Sequence, residues 1–141
     1  MKLKQISLFL ENKPGYIGQA CRILADAGVN IATASLADTA DYGILRILTK
    51  DDECAKEALE KRDFVVKISE VVAVAVPHQP GGLADVLEIV GKGGYNIEYM
   101  YGFFRHENFA VIVFRFDDPD SAIDLLTKNE IKVMGPSDLF D

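Results

Sequence analysis

The chain repeats itself. Displaced by 66 residues, positions 12–31 fall on positions 78–97, and about six of the twenty are identical. Pro14/Pro80, Gly15/Gly81, Gly28/Gly94, Asn30/Asn96 and Ile31/Ile97 all coincide. Most of these are turn or boundary residues, which hydrophobic patterning alone would not force to match. A length of 141 residues suits one average domain or two very small ones. With a fixed internal period, the second reading wins. The sequence predicts a duplicated domain, residues 1–69 and 70–141, with the boundary near Ser69 or Glu70.

Each half carries the same succession of signals. Residues 4–10 alternate apolar and polar loosely, as a half-buried strand does, and residues 71–76 are more uniformly apolar. A Pro-Gly turn follows each. Ile17, Ala20, Cys21 and Leu24 then stand at i, i+3, i+4 and i+7, as do Leu83, Val86, Leu87 and Val90. That spacing lays an apolar stripe along one side of a helix. Gly28 and Gly94 supply left-handed stops. Second strands are expected over 30–37 and 96–104, and third strands over 42–49 and 109–116. The turns between them are Asp38-Thr39-Ala40-Asp41 and Arg105-His106-Glu107-Asn108. Second helices open at Asp52 and at Asp118-Pro119, where an acidic cap and a proline suit a helix start. Short strands over 64–67 and 131–134 close the halves. Residues 64–76 read almost as one extended stretch with no linker.

The order is βαββαβ twice. It predicts an α+β fold of the ferredoxin-like kind, an antiparallel four-stranded sheet with both helices on one face. Some 70 residues bury only a thin core, so two tandem copies packed side by side are expected.

Composition narrows the function. Nearly half the residues are apolar and the net charge is −7. No Lys/Arg cluster marks a nucleic-acid surface. The longest apolar run, residues 71–76, is far short of the roughly 20 residues that span a membrane. The N-terminus lacks the apolar core of a secretory signal. Cys21 and Cys54, the only cysteines, have no CxxC spacing and read as small core residues on helices. The expectations are a cytoplasmic protein with no metal, no cofactor, no nucleic-acid partner and no membrane association. Catalytic signatures are missing: there is no GxxxxGK[ST], GxSxG or HExxH. Arg105, His106 and Asn108 read as a solvated hairpin turn rather than a catalytic group.

Glu11-Asn12-Lys13-Pro14-Gly15, a helix, and Ala27-Gly28-Val29-Asn30-Ile31 together resemble the signature of the ACT domain, most nearly that of the regulatory domain of phosphoglycerate dehydrogenase. Pro77-His78-Gln79-Pro80-Gly81 and Gly93-Gly94-Tyr95-Asn96-Ile97 form a looser second copy. The resemblance implies regulation rather than catalysis. Domains of this kind pair into an eight-stranded sheet and hold a small effector, commonly an amino acid, between the first turn of one unit and the second strand of its neighbour. It thus implies one site from Asn12, Lys13, Pro14, Gly15 and Ile17 with Asn96, Ile97 and Glu98. The other would use His78, Gln79, Pro80, Gly81 and Leu83 with Asn30, Ile31 and Ala32. Leu10 and Val76 stand where the dehydrogenase-like motif has a polar residue, and His78 replaces the loop asparagine, so the two sites are not equivalent.

These residue types suit a free amino acid. A carboxylate seeks the unsatisfied N–H groups and the dipole of a helix start. Glycine there lets a ligand approach the backbone. An asparagine amide both donates and accepts, so Asn12, Asn30 or Asn96 suits an ammonium and a carboxylate on one carbon. Thr33, Asp38, Glu98 and Tyr99 are polar groups near the effector's side chain, and the acidic ones favour a cationic or imidazole side chain such as histidine. The partners this reading implies are a free amino acid, an amino-acid biosynthetic enzyme and a second copy of the chain. The competing reading is a protein-interaction module, pairing through exposed strand edges, with no small ligand.

Overall fold

The computed structural model describes residues 1–11, 13–38 and 41–140; of Asp38 and residues 104–106 it describes the backbone alone. The elements are β1 (Leu3–Glu11), α1 (Tyr16–Asp26), β2 (Thr33–Asp38), β3 (Tyr42–Leu48), α2 (Asp52–Glu60), β4 (Val65–Pro77), α3 (Gly82–Lys92), β5 (Ile97–His106), β6 (Phe109–Phe116), α4 (Pro119–Lys128), β7 (Val133–Met134) and α5 (Pro136–Phe140). The chain divides into two compact units. Lys4–Ser69 form the N-terminal unit; Glu70–Leu139, with Met1–Leu3, form the C-terminal unit.

In the N-terminal unit the strand order is β2-β3-β1-β4, with residues 65–69 of β4 belonging here. β1 and β2 both run antiparallel to β3, with Leu8 and Leu36 opposite Leu45. Ile6, Leu8, Leu10, Leu45 and Ile47 lie on one face and pack with Ala20, Ile23 and Leu24 of α1 and Ala55 and Leu59 of α2. Both helices therefore cover the same face. Each fully buried aliphatic side chain contributes roughly 1.5–3 kcal/mol. The C-terminal unit repeats the design. β4 pairs with β6, and β6 with β5; β7 lies against β4 through Ala73↔Met134 and Val74↔Val133. Val72, Val74, Val76, Phe114 and Phe116 meet Val86 and Val90 of α3 and Ala122 and Leu126 of α4. Phe114 and Phe116 stack with centroids 5.3 Å apart.

The βαββαβ order, the glycine stops and the unbroken stretch now seen as β4 all stand. Gly28 and Gly94 sit at φ 78° and 80°. Asp118 caps α4, accepting from the Ser121 N–H at 3.3 Å, with Pro119 in the first turn.

Several details differ from the sequence reading. β1 is not half-buried: Gln5 and Ser7, on the face away from the helices, are 0% and 5% exposed, and Gln5 Nε2 donates to Ser7 Oγ. β2 begins at Thr33 rather than at residue 30, because residues 30–32 are engaged in a turn-like set of bonds described below. The closing strand of the second half shrinks to two residues. Cys54 is exposed and only Cys21 is half-buried, since Ala55 and Leu59, one position on, take the core face of α2. The terminal helix α5 carried no periodic signal; Gly135 N–H donates to Asp138 Oδ2 at 2.8 Å and Leu139 is buried. Among the described residues no helix is long and apolar enough to cross a membrane.

At the N-terminus, Lys2 Nζ lies 3.0 Å from both Glu70 and Asp120, within the C-terminal unit. Hydrogen bonds to those carboxylates raise its pKa above the usual lysine value.

Gly82 and Gly15 test two different demands for glycine. A Cβ on Gly82 would sit 2.2 Å from the Pro77 carbonyl oxygen, whereas one on Gly15 meets nothing within 4 Å and is opposed only by its φ of +90°. Gly82→Ala should cost about 1–3 kcal/mol through backbone overpacking, and Gly15→Ala about 1–2 kcal/mol through the left-handed conformation. Urea unfolding of the two variants checks the order.

Candidate functional site

The two Pro-Gly turns are built by the same bonds. In the first, Lys13 N–H donates to Glu11 O at 2.9 Å, Tyr16 N–H to Lys13 O at 3.3 Å and Gln19 N–H to Gly15 O at 2.9 Å. In the second, Gln79 N–H donates to Pro77 O at 2.9 Å, Gly82 N–H to Gln79 O at 3.1 Å and Asp85 N–H to Gly81 O at 2.9 Å. Gly15 (φ 90°, ψ −17°) and Gly81 (φ 88°, ψ −15°) are the N-cap residues, and among the described residues no side chain caps either helix. The N–H groups of the first helical turn, orphaned by helix geometry, are thus not covered by a side-chain oxygen. Among the described residues, chain neighbours aside, no atom lies within 4 Å of where a Cβ would stand on either glycine.

The side chains of the turns are less alike. Lys13 Nζ pairs with Glu11 at 2.8 Å on the surface, and that hydrogen bond raises the lysine pKa. Gln79 stands in its place in the second turn. Pro14, His78, Gln79 and Pro80 are exposed. His78 N–H donates to Asn108 O at 3.1 Å, tying the turn to the β5–β6 hairpin. Ile17 and Leu83 are half-buried and pack against their units' cores, anchoring the helix starts. Asn12 lies outside the described residues, as do the side chains of Asp38, Arg105 and His106.

The approach to the second strand is locked differently in each unit. Thr49 Oγ1 donates to Asn30 O at 2.8 Å and accepts from Asp51 N–H at 3.2 Å, while Ala32 N–H donates to Leu48 O. In the C-terminal unit Asp117 does this work. Its Oδ1 accepts from the N–H groups of Asn96 (3.2 Å) and Asp118 (3.0 Å), and its own N–H donates to Asn96 O at 3.3 Å. Thr49 and Asp117 went unnoticed in the sequence because they differ in type. The one signal was a polar residue just before an acidic helix start.

These locks use the backbones of Asn30 and Asn96, not their carboxamides. Both side chains are exposed, and among the described residues neither has a hydrogen-bond partner. Neither residue has a positive φ; Gly28 and Gly94 carry that duty. The bend therefore supplies no reason for asparagine at either position. Next to them, Ala32 is exposed, and Ile31 and Ile97 pack into the two cores. Glu98 is exposed and pairs with Arg115 at 3.6 Å; Arg115 Nη1 also donates to Glu70 O at 2.8 Å.

Within one unit the turn and the asparagine do not meet. Glu11 pairs with Tyr42 at one end of β3, and Thr33 with Leu48 at the other. Pro77 and Ile97 likewise pair with Phe109 and Phe116, at opposite ends of β6. At about 3.4 Å per residue, the two groups stand roughly 20 Å apart along either sheet. No single unit assembles both halves of the expected constellation. Among the described residues no group of His, Cys, Asp and Glu could hold a metal.

If the carboxamides carry no structural load, Asn30→Ala and Asn96→Ala should each change stability by less than about 0.5 kcal/mol. Thr49→Val, which removes a buried donor and acceptor, should cost about 1–3 kcal/mol. Urea unfolding midpoints decide between the two kinds of residue.

The comparisons agree with this architecture. A family model described as an ACT domain pair matches residues 1–141. The crystal structure of protein BT0572 from Bacteroides thetaiotaomicron is similar over 100% of this chain and 97% of its own, with 38% identity and a TM-score of 0.94. The ligand-free regulatory subunit of aspartate kinase from Thermus thermophilus shares the fold at 19% identity, over 91% of this chain and 93% of its own, with a TM-score of 0.67. The aspartokinase alpha and beta subunits give 19% identity, 89% and 90% coverage and a TM-score of 0.60. No curated protein matches the sequence. Its duplicated βαββαβ units, joined through β4, make this chain a member of the ACT domain pair family.

Proposed function

We propose that this chain is a non-catalytic regulatory module that senses a free amino acid, with residues 1–69 and 70–141 acting as its two domains. The observation that carries the proposal is the pair of carboxamides at Asn30 and Asn96, shared by the two halves of the chain and, among the described residues, without a hydrogen-bond partner. Each offers a donor and an acceptor in one group. The helix starts at Gly15 and Gly81, uncapped among the described residues, supply the matching N–H donors for a carboxylate. The contacts this reading assigns are Asn12, Lys13, Pro14, Gly15 and Ile17 in the first turn, His78, Gln79, Pro80, Gly81 and Leu83 in the second, and the strand-leading segments 30–32 and 96–98. Histidine is the first effector to test, because acidic Glu98 adjoins Asn96 and favours a cationic or imidazole group. That one structural neighbour is the regulatory subunit of aspartate kinase supports a partner enzyme in amino-acid biosynthesis. A cytoplasmic setting belongs to the same reading.

A second reading rests on the strand edges. β2 and β5 end the hydrogen-bonded order, and β5 is ten residues long. An unpaired edge of that length is a template for strand addition, by a second copy or a partner enzyme. Ligand-independent assembly in light scattering, with no amino-acid response, would favour it.

The test is thermal unfolding against the twenty common amino acids at millimolar concentration. A ligand at a hundred times its dissociation constant stabilises by about 2.7 kcal/mol, a rise of several degrees for a chain of this size. One saturable responder, lost in the Asn30→Ala/Asn96→Ala double variant, is the expected outcome. No responder, or a response the double variant retains, would overturn the assignment. Glu98→Gln should weaken a histidine response and leave a neutral amino acid's response unchanged.

A further inference from the structure

The duplicated halves differ in the seam between their two helices. In the N-terminal unit a cavity of about 330 Å³ opens between α1 and α2. Its apolar floor is Ile23, Ala27 and Ala58. Ile23 and Ala27 match Ile89 and Gly93, and with the buried pairs Ala55/Ala122 and Leu59/Leu126 aligned, one residue further on, Ala58 matches Leu125. There the gap is filled: a Cβ on Gly93 would sit 2.5 Å from Leu125 Cδ2. Ala58 in place of a leucine is what leaves the space in the first unit.

The ends of the cavity are charged with opposite sign. At one end Cys54 Sγ lies 3.8 Å from Ala27 O, so this is where the C-terminus of α1 meets the start of α2. α1 has no basic residue in its last turn and carries Asp26 there, where the matched residue of α3 is Lys92. An acid at a helix C-terminus opposes the helix dipole, so this end is doubly negative and uncompensated within its own helix. At the other end lie Lys61 and Arg62, just past α2, with Glu57 one turn earlier also lining the cavity, so two bases there outweigh one acid. Among the described residues Asp26 and Arg62 have no ion-pair partner, while Lys61 pairs only weakly with Glu57 at 4.0 Å. From Cys54 to Lys61 is seven helical positions, about 10 Å.

We infer that this cavity is a second binding site, distinct from the turn-and-asparagine site, for an ω-amino carboxylate: a primary ammonium and a carboxylate at the two ends of a stem of five or so methylenes. The ammonium lies toward Asp26 and the α1 carbonyls, the methylenes over Ala27 and Ala58, and the carboxylate toward Arg62. A volume near 330 Å³ is at the small end of ligand sites, and a stem of this length is what joins the charged ends.

Cys54 lines the cavity and reports on it. In a Cys21→Ser background, the rate of Cys54 reaction with an aromatic disulfide reagent would be measured against 6-aminohexanoate, with pentylamine and hexanoate as one-ended controls. The expected result is saturable protection by 6-aminohexanoate at least tenfold stronger than by either control, lost in Ala58→Leu and weakened tenfold or more in Asp26→Lys. Both substitutions install what the second unit already carries, and Asp26→Lys keeps the test decisive should Ala58→Leu misfold. Arg62→Ala should reduce 6-aminohexanoate to the level of pentylamine. Protection that persists in Asp26→Lys, equal protection by the one-ended controls, or none at 10 mM would overturn the inference. Asn30→Ala/Asn96→Ala should leave protection intact, which separates this site from the proposed effector site.

Discussion

A backbone held at φ near +90° decides how each unit of this protein presents itself. At Gly15 and Gly81 the chain leaves a strand and must enter a helix that returns over the same sheet. The left-handed conformation accomplishes that reversal, and glycine alone adopts it without strain. The geometry also excludes a conventional cap, because the N-cap residue has no side chain to offer. The exposed N–H groups follow from the turn itself. The core beneath depends on the same reversal, since Ile17, Ala20 and Leu24, or Leu83, Val86 and Val90, reach the sheet only if the helix starts in this direction.

Much of this was legible in the sequence for a physical reason: turn chemistry and period are local. Pro14-Gly15, the i, i+3, i+4, i+7 stripes, Gly28 and Gly94, and Asp118-Pro119 each act through their immediate neighbours. What escaped was non-local. Gln5 and Ser7 break the expectation of one wet face on β1, and nothing in residues 4–10 announces that both faces are covered. The sequence pattern puts Cys54 on the apolar side of its helix, but the α2 phase is set by Ala55 and Leu59. The strand-leading locks were invisible because a threonine hydroxyl and an aspartate carboxylate perform one task in two chemistries. The candidate site shows the same division: its glycines and asparagines were marked by repetition, whereas the roughly 20 Å between turn and asparagine within a unit emerges only from strand register.

Duplication supplies an internal control. Where the two units agree, the cause is a shared backbone demand, as at the glycine turns, or a shared side chain that the backbone does not require, as at Asn30 and Asn96. Where they differ, the surrounding packing tells whether the difference has been absorbed. Tyr16 and Gly82 occupy the same position, and at Gly82 the Pro77 carbonyl stands where a side chain would begin. Leu125 opposite Gly93 is likewise a closed exchange. Ala58 opposite Ala27 is an open one, with no neighbour grown to fill the loss.

The separation between the Thr49 and Asp117 locks and the adjacent carboxamides has a consequence for how such a module diversifies. Shape is held by main-chain bonds, and among the described residues the outward carboxamides hold nothing else. Residues 30 and 96 can therefore exchange identity with little debt in folding. Side-chain chemistry at these two positions becomes a nearly free variable, written on a scaffold whose integrity does not read it.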